Sequence, residues 1–246
     1  MSPDEPTWQG LRPEARKQLE IRDYSAGDLA ERLTTSGVPA SELLAPDAQS
    51  SLADTWIPGV DFIPRTVYQQ KGRGYFAEFA RQSEGPLADI GLWPKQWATA
   101  LMHRDSAKGF HIHPPHIPAD TTPADWFKKL YLEDPRNTAL RPYDHEQWDV
   151  MFFTTGISEM ILVDEREGLP RNIMRFTIDG DSRPGPNNAA VIIPAGVAHA
   201  LRSIGNSDLI MVYGTSTTFD PAFEGRIASS IEDTPLPKDW SDYLKD

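Results

Sequence analysis

Lys108-Gly109-Phe110-His111-Ile112-His113 is the stretch on which the reading of this chain turns. Side chains two apart on a β-strand share a face, so His111 and His113 point to the same side. Two further stretches supply companions. Asp149 opens the apolar run Asp149-Val150-Met151-Phe152-Phe153, which ends seven residues on at Gly156. Pro194-Ala195-Gly196-Val197-Ala198-His199 closes on a third histidine. His111, His113, Asp149 and His199, brought together inside one barrel, would enclose a divalent cation. Imidazole plus carboxylate suits iron, manganese, nickel, zinc or copper.

Working outward, the chain from Ile57 onward has a β texture. Short runs rich in Val, Ile, Phe and Thr alternate with Gly, Pro and Asp turns. The expected strands are 61–68, 75–80, 97–103, 109–113, 149–154, 158–163, 173–178, 190–193, 198–203 and 209–213. Many short strands without long helices between them indicate a sandwich or barrel, an all-β domain. The segment 114–147 interrupts this pattern with six prolines and an expected helix over 123–132. A loop of that length inside a compact domain is usually a lid or a site wall. His116 and His145 lie in it and could replace Asp149 as a ligand, and Trp126 is its best candidate for stacking on a substrate ring. Residues 1–56 differ in texture. Good helix formers fill Leu11 to Ile21, Ser25 can cap a helix through Leu29 and Leu33 to Gly37, and 39–44 suggests a further short helix. The expected organisation is an N-terminal helical extension over 1–56, a barrel over 57–235 with its insertion at 114–147, and a tail over 236–246.

Composition narrows the function classes. At 246 residues the chain can bury a substantial core. A formal net charge of −12 argues against bulk binding to nucleic acid or anionic membrane, both of which need basic surface. There is no cysteine, so disulfides and thiolate chemistry are excluded. No apolar run is long enough to span a bilayer, and the acidic N-terminus lacks a signal-peptide core. The expected compartment is the cytoplasm and the expected partner is a small-molecule substrate.

An ordered series of motifs resembles the dTDP-4-dehydrorhamnose 3,5-epimerases, which are cupins. It comprises Gly59-Val60-Asp61-Phe62-Ile63-Pro64-Arg65, then Arg73-Gly74-Tyr75-Phe76-Ala77-Glu78, then Lys108-Gly109-Phe110-His111. It continues with Gly156 through Val163-Asp164-Glu165-Arg166, Ile193 through Ala200, and Tyr213 through Pro221 and Glu224. The resemblance implies a cupin jelly-roll barrel, a homodimer with residues 75–80 near the partner, and a deoxysugar-nucleotide site. It implies His111 as catalytic base, Tyr213 as general acid, and His199 as a second active-site histidine. Arg73, Phe76 and Glu78 would hold the nucleotide, and Lys108 stands where the family has an arginine.

The departures change the chemistry expected. His113 replaces the glutamine of the family's His-x-Gln, and Asp149 replaces a lysine. A lysine would repel a divalent cation, whereas an aspartate attracts one. His-x-His, Asp149 and the Pro-x-Gly-x-x-His frame are similar to metal-binding cupins instead. The leading expectation is therefore a metal-dependent cupin enzyme holding iron, manganese, nickel or zinc and acting on a small carbohydrate or carbonyl compound. Its chemistry would be isomerase, epimerase or lyase type, or oxygenase if the metal is iron. The alternatives are a metal-free dTDP-4-keto-sugar 3,5-epimerase using His111 and Tyr213, and a non-catalytic sugar-binding cupin.

Overall fold

The structure, a computed structural model, describes residues 8–21, 56–133 and 140–227. Two antiparallel sheets pack face to face in a jelly roll. The six-stranded sheet runs in the order β1 (Glu20–Ile21), β13 (Gly225–Arg226), β6 (Ala107–Ile112), β11 (Val197–Ser203), β8 (Ile157–Asp164), β9 (Ile173–Asp179). The five-stranded sheet runs β2 (Asp61–Pro64), β10 (Ala189–Ile193), β7 (Asp149–Thr155), β12 (Leu209–Thr215), β5 (Gln96–Met102). A separate hairpin pairs β3 (Val67–Gln70) with β4 (Gly74–Ala77). The all-β cupin expectation holds, and each expected strand has a counterpart. Only the run 61–68 divides. Pro64 cannot donate to a ladder, and Arg65 turns aside to a buried pair with Asp181 (2.8 Å).

The strands read as continuous apolar runs because both of their faces are covered. Met151 and Phe153 face the interior with Val191, Ile193, Leu162 and Met211. Val150 and Phe152 face outward, where Phe127, Leu130 and Tyr131 from the 114–147 insertion cover them. On the other sheet, Ile161, Val163, Ala198 and Ala200 face outward against Leu11 and Ala15. Each fully buried Leu, Ile or Phe contributes about 2 kcal/mol of transfer free energy, so both coverings stabilise the barrel substantially.

The N-terminal helix expected within 11–21 is shorter, α1 (Pro13–Gln18), and β1 follows it onto the barrel sheet. The helices expected at 25–37 and 39–44, and the tail over 236–246, lie outside the described residues. In the insertion, Thr122 caps α2 (Pro123–Phe127) by accepting from the Asp125 amide (3.2 Å). The last turn, Lys128–Glu133, widens to a π-helix. The buried Glu146 carboxylate ties the insertion's ends together, accepting from the His116 amide (2.6 Å) and Trp148 Nε1 (2.9 Å).

Candidate active site

A cavity of about 290 Å³ opens between the sheets above the interior core. Its six-stranded wall carries Lys108, His111 and His113 from β6 and its continuation, His199 from β11 and Arg226 from β13. The five-stranded wall carries Asp149 from β7 and Tyr213 from β12. Gln147, Glu224, Gln96 and Thr215 add to the polar lining.

Strand register brings these side chains together. His199 pairs directly with His111 across β11 and β6, and their rings stack with centroids 5.7 Å apart. Two residues on, Leu201 pairs with Lys108, so β6 carries one extra residue between the two pairs. That bulge lets Lys108 and His111, which simple alternation would place on opposite faces, line the same cavity. Gly109 sits in it at φ +130°, where a Cβ would lie 2.6 Å from the Ala200 backbone.

His113, Asp149 and His199 form a compact buried cluster. His113 Nε2 and His199 Nε2 each lie 3.4 Å from Asp149 Oδ2. One donor atom from each of the three lies within 4.8 Å of the others, and among the described residues this is the group of that kind. The remote ring nitrogens meet backbone carbonyls: His113 Nδ1 is 3.3 Å from the Phe223 oxygen, and His199 Nδ1 is 3.2 Å from that of Val197. Burial opposes charge on His113, but Glu224 and Asp149 outweigh it and raise the ring to about 9. Burial dominates at His199 and lowers it to about 4. The Asp149 carboxyl is held below its usual range: burial pushes up, and His113 overcomes it.

His111 stands apart from this cluster. Its Nδ1 is engaged by the Arg226 guanidinium, and β13 places Arg226 directly opposite His111 in register. Tyr213 is half-buried on the far wall, with its phenol raised by burial and by the Asp149 and Glu224 carboxylates.

Other expected residues lie elsewhere. Arg73, Phe76 and Glu78 are on the β3–β4 hairpin and its exit, outside the cavity lining. Phe76 stacks on Tyr68, and Glu78 pairs with Arg81 at 2.8 Å. Trp126 packs against the covered outer face of the five-stranded sheet, away from the cavity. His116 and His145 stack on each other, centroids 4.6 Å apart, and do not line the cavity. Among the lining residues without a predicted role, three stand beside the histidines: Gln147, Glu224 and Arg226. Gln147 was legible, being two residues from Asp149 and so on its face. Glu224 closed a recognised motif without a role attached. Arg226 carries no local signal, because only the pairing of β13 with β6 brings it in.

No protein-family profile matches the chain. A curated relative, the spore coat polysaccharide biosynthesis protein SpsL of Bacillus subtilis (strain 168), is 26% identical over 161 residues, 65% of this chain and 80% of its own length. Among solved structures, the rmlC epimerase of Mycobacterium tuberculosis is similar with a TM-score of 0.50 at 18% identity, covering 71% of each chain. A dTDP sugar isomerase from Desulfovibrio desulfuricans G20 is similar with a TM-score of 0.51 at 13% identity, covering 76% of this chain and 93% of its own. The ordered motifs, the two-sheet jelly roll and these likenesses agree: the chain has the cupin fold of the dTDP-4-dehydrorhamnose 3,5-epimerases.

Proposed function

We propose that this chain is a sugar epimerase or isomerase that moves a proton beside a sugar carbonyl, acting on a dTDP-keto sugar or a related small carbohydrate. The observation that carries the reading is the cavity's division into two walls, Tyr213 on one and Lys108 and His199 on the other. Inverting a carbon next to a carbonyl needs a proton removed on one face and returned on the other, so proton-transfer groups must flank the substrate. The raised phenol of Tyr213 keeps its proton at neutral pH and is suited to donate it. The names of the similar proteins support the substrate class: an epimerase, a dTDP sugar isomerase and a polysaccharide biosynthesis protein. Arg73, Phe76 and Glu78 would reach a nucleotide only if a second copy brings its hairpin to this cavity, which fits the homodimer implied by the resemblance.

The test is incubation with a dTDP-4-keto-6-deoxy sugar in deuterium oxide, read by NMR and mass spectrometry. Deuterium should enter at the carbon beside the carbonyl, with a new epimer accumulating. No label and no new sugar would remove this reading.

A metal-assisted form of the same chemistry is the second reading, favoured by the His113, Asp149 and His199 cluster. Carbonyls at both remote nitrogens orient the rings, the usual support for ligating histidines. Two imidazoles and a carboxylate fit iron, manganese, nickel or zinc, and an ion held there would polarise a substrate oxygen as a Lewis acid. The metal-free form leads because Asp149 is partnered without an ion: Gln147 Nε2 donates to its Oδ1 at 3.0 Å, and both histidines lie 3.4 Å from its Oδ2.

A further inference from the structure

We propose that Arg226 is a positioning residue that fixes His111 as its Nε2–H tautomer, so that His111 serves the substrate as a hydrogen-bond donor and not as the proton-abstracting base. A guanidinium has five donors and no acceptor. Its contact with His111 Nδ1 therefore requires a lone pair on that nitrogen. The ring proton then resides on Nε2. The pairing is not a chance surface contact, because β13 sets Arg226 opposite His111 in the sheet register and β1 holds β13 from its other side. A histidine in this state cannot accept a proton at Nδ1 without breaking the Arg226 contact. At Nε2 it has no lone pair to offer.

The surroundings agree with this assignment. Lys108 reaches the same cavity by way of the β6 bulge. The Nε2–H of His111 and the ammonium of Lys108 thus make one corner of the cavity rich in donors. A carbonyl oxygen is the substrate group such a corner recognises, because fixed donors strengthen their bonds as negative charge develops on it. This placement of the carbonyl rests on the keto-sugar reading above, whereas the tautomer of His111 does not.

The deciding measurement is a two-bond nitrogen–proton correlation spectrum of the nitrogen-15-labelled full chain at pH 7.5, without substrate, with His111 assigned by its loss in His111→Gln. His111 should show its proton on Nε2 and a bare Nδ1. Arg226→Lys, which keeps a donor, should preserve that pattern. Arg226→Leu should move a large share of the signal to the Nδ1–H form. A proton on Nδ1 in the wild type, whether the ring is neutral or doubly protonated, overturns the proposal, as does an unchanged tautomer in folded Arg226→Leu. If Arg226→Leu does not fold, the wild-type and Arg226→Lys spectra still decide. No sugar is present in these experiments, so a failed deuterium-exchange assay would not touch their outcome.

Discussion

Tyr213 and the buried histidines share one cavity but are tuned in different directions, and single substitutions separate them. Tyr213→Phe removes only the hydroxyl. It should lower turnover of the keto sugar by about 10²–10⁴-fold, the usual worth of a positioned acid or base, with little change in thermal stability. Near-normal turnover would take Tyr213 out of the reaction. His113→Gln tests the metal-assisted reading, on which elemental analysis of tag-free protein would find a bound divalent ion in the wild type and most of it gone in the variant. Wild-type protein without metal would leave the metal-free form standing. The pH dependence of stability in chelator-treated protein follows from burial. His199 is lowered to about 4, against about 6.5 for an unfolded histidine. Between those values the unfolded chain binds more protons, so stability falls as pH drops from about 6.5 toward 4. That shift corresponds to about 3 kcal/mol. His199→Gln should flatten this acid limb in thermal unfolding, and an unchanged slope would refute the burial argument. His113 acts in the opposite sense. Raised to about 9, it stabilises fully below about 6.5, and that contribution is lost as pH rises to about 9.

At the scale of elements, the β6 bulge is what builds the cavity's donor wall. Gly109→Ala would strain a positive φ and drive a methyl group into the Ala200 backbone at 2.6 Å. We expect a loss of about 3 kcal/mol, measured by denaturant unfolding, with turnover lost in whatever protein remains folded because Lys108 and His111 no longer share a face. Native-like stability and activity would mean that the bulge is dispensable. The insertion makes the contrasting case. Trp126 packs with the outer cluster of the five-stranded sheet, so Trp126→Ala should cost about 2 kcal/mol of stability while KM is unchanged. A raised KM with full stability would return Trp126 to the substrate.

For the whole molecule, the hairpin and the cavity together argue for assembly. Phe76 and Tyr68 are large, about half exposed and stacked on each other, at 50% and 57%. Contiguous exposed apolar surface is a mark of interaction sites. Light scattering at low micromolar concentration should give twice the 27.5 kDa chain mass, and Phe76→Asp should shift it toward the monomer. A monomeric wild type would leave Arg73, Phe76 and Glu78 without a cavity to serve. The net charge of −12 sets a separate expectation at this scale, that the chain does not bind nucleic acid in bulk.

By itself the sequence determined the strand inventory, a sandwich or barrel, and the candidacy of His111, His113, Asp149 and His199, which line one cavity; the jelly roll and Tyr213 were implied by the family resemblance. Those features rest on local periodicity and on motifs of short spacing, which survive being read one segment at a time. The side chains that set the chemistry of that cavity answer to long-range pairing instead. Arg226 meets His111 only because β13 pairs with β6 across more than a hundred residues of chain. Lys108 joins the same wall only because an extra residue in β6 reverses the alternation that its spacing implies. Trp126 looked free for a substrate because its segment is rich in proline and polar residues, yet an apolar outer sheet face was there to cover. A period of two says which residues share a face; which faces meet is decided by sheet order, and sheet order is a property of the folded chain.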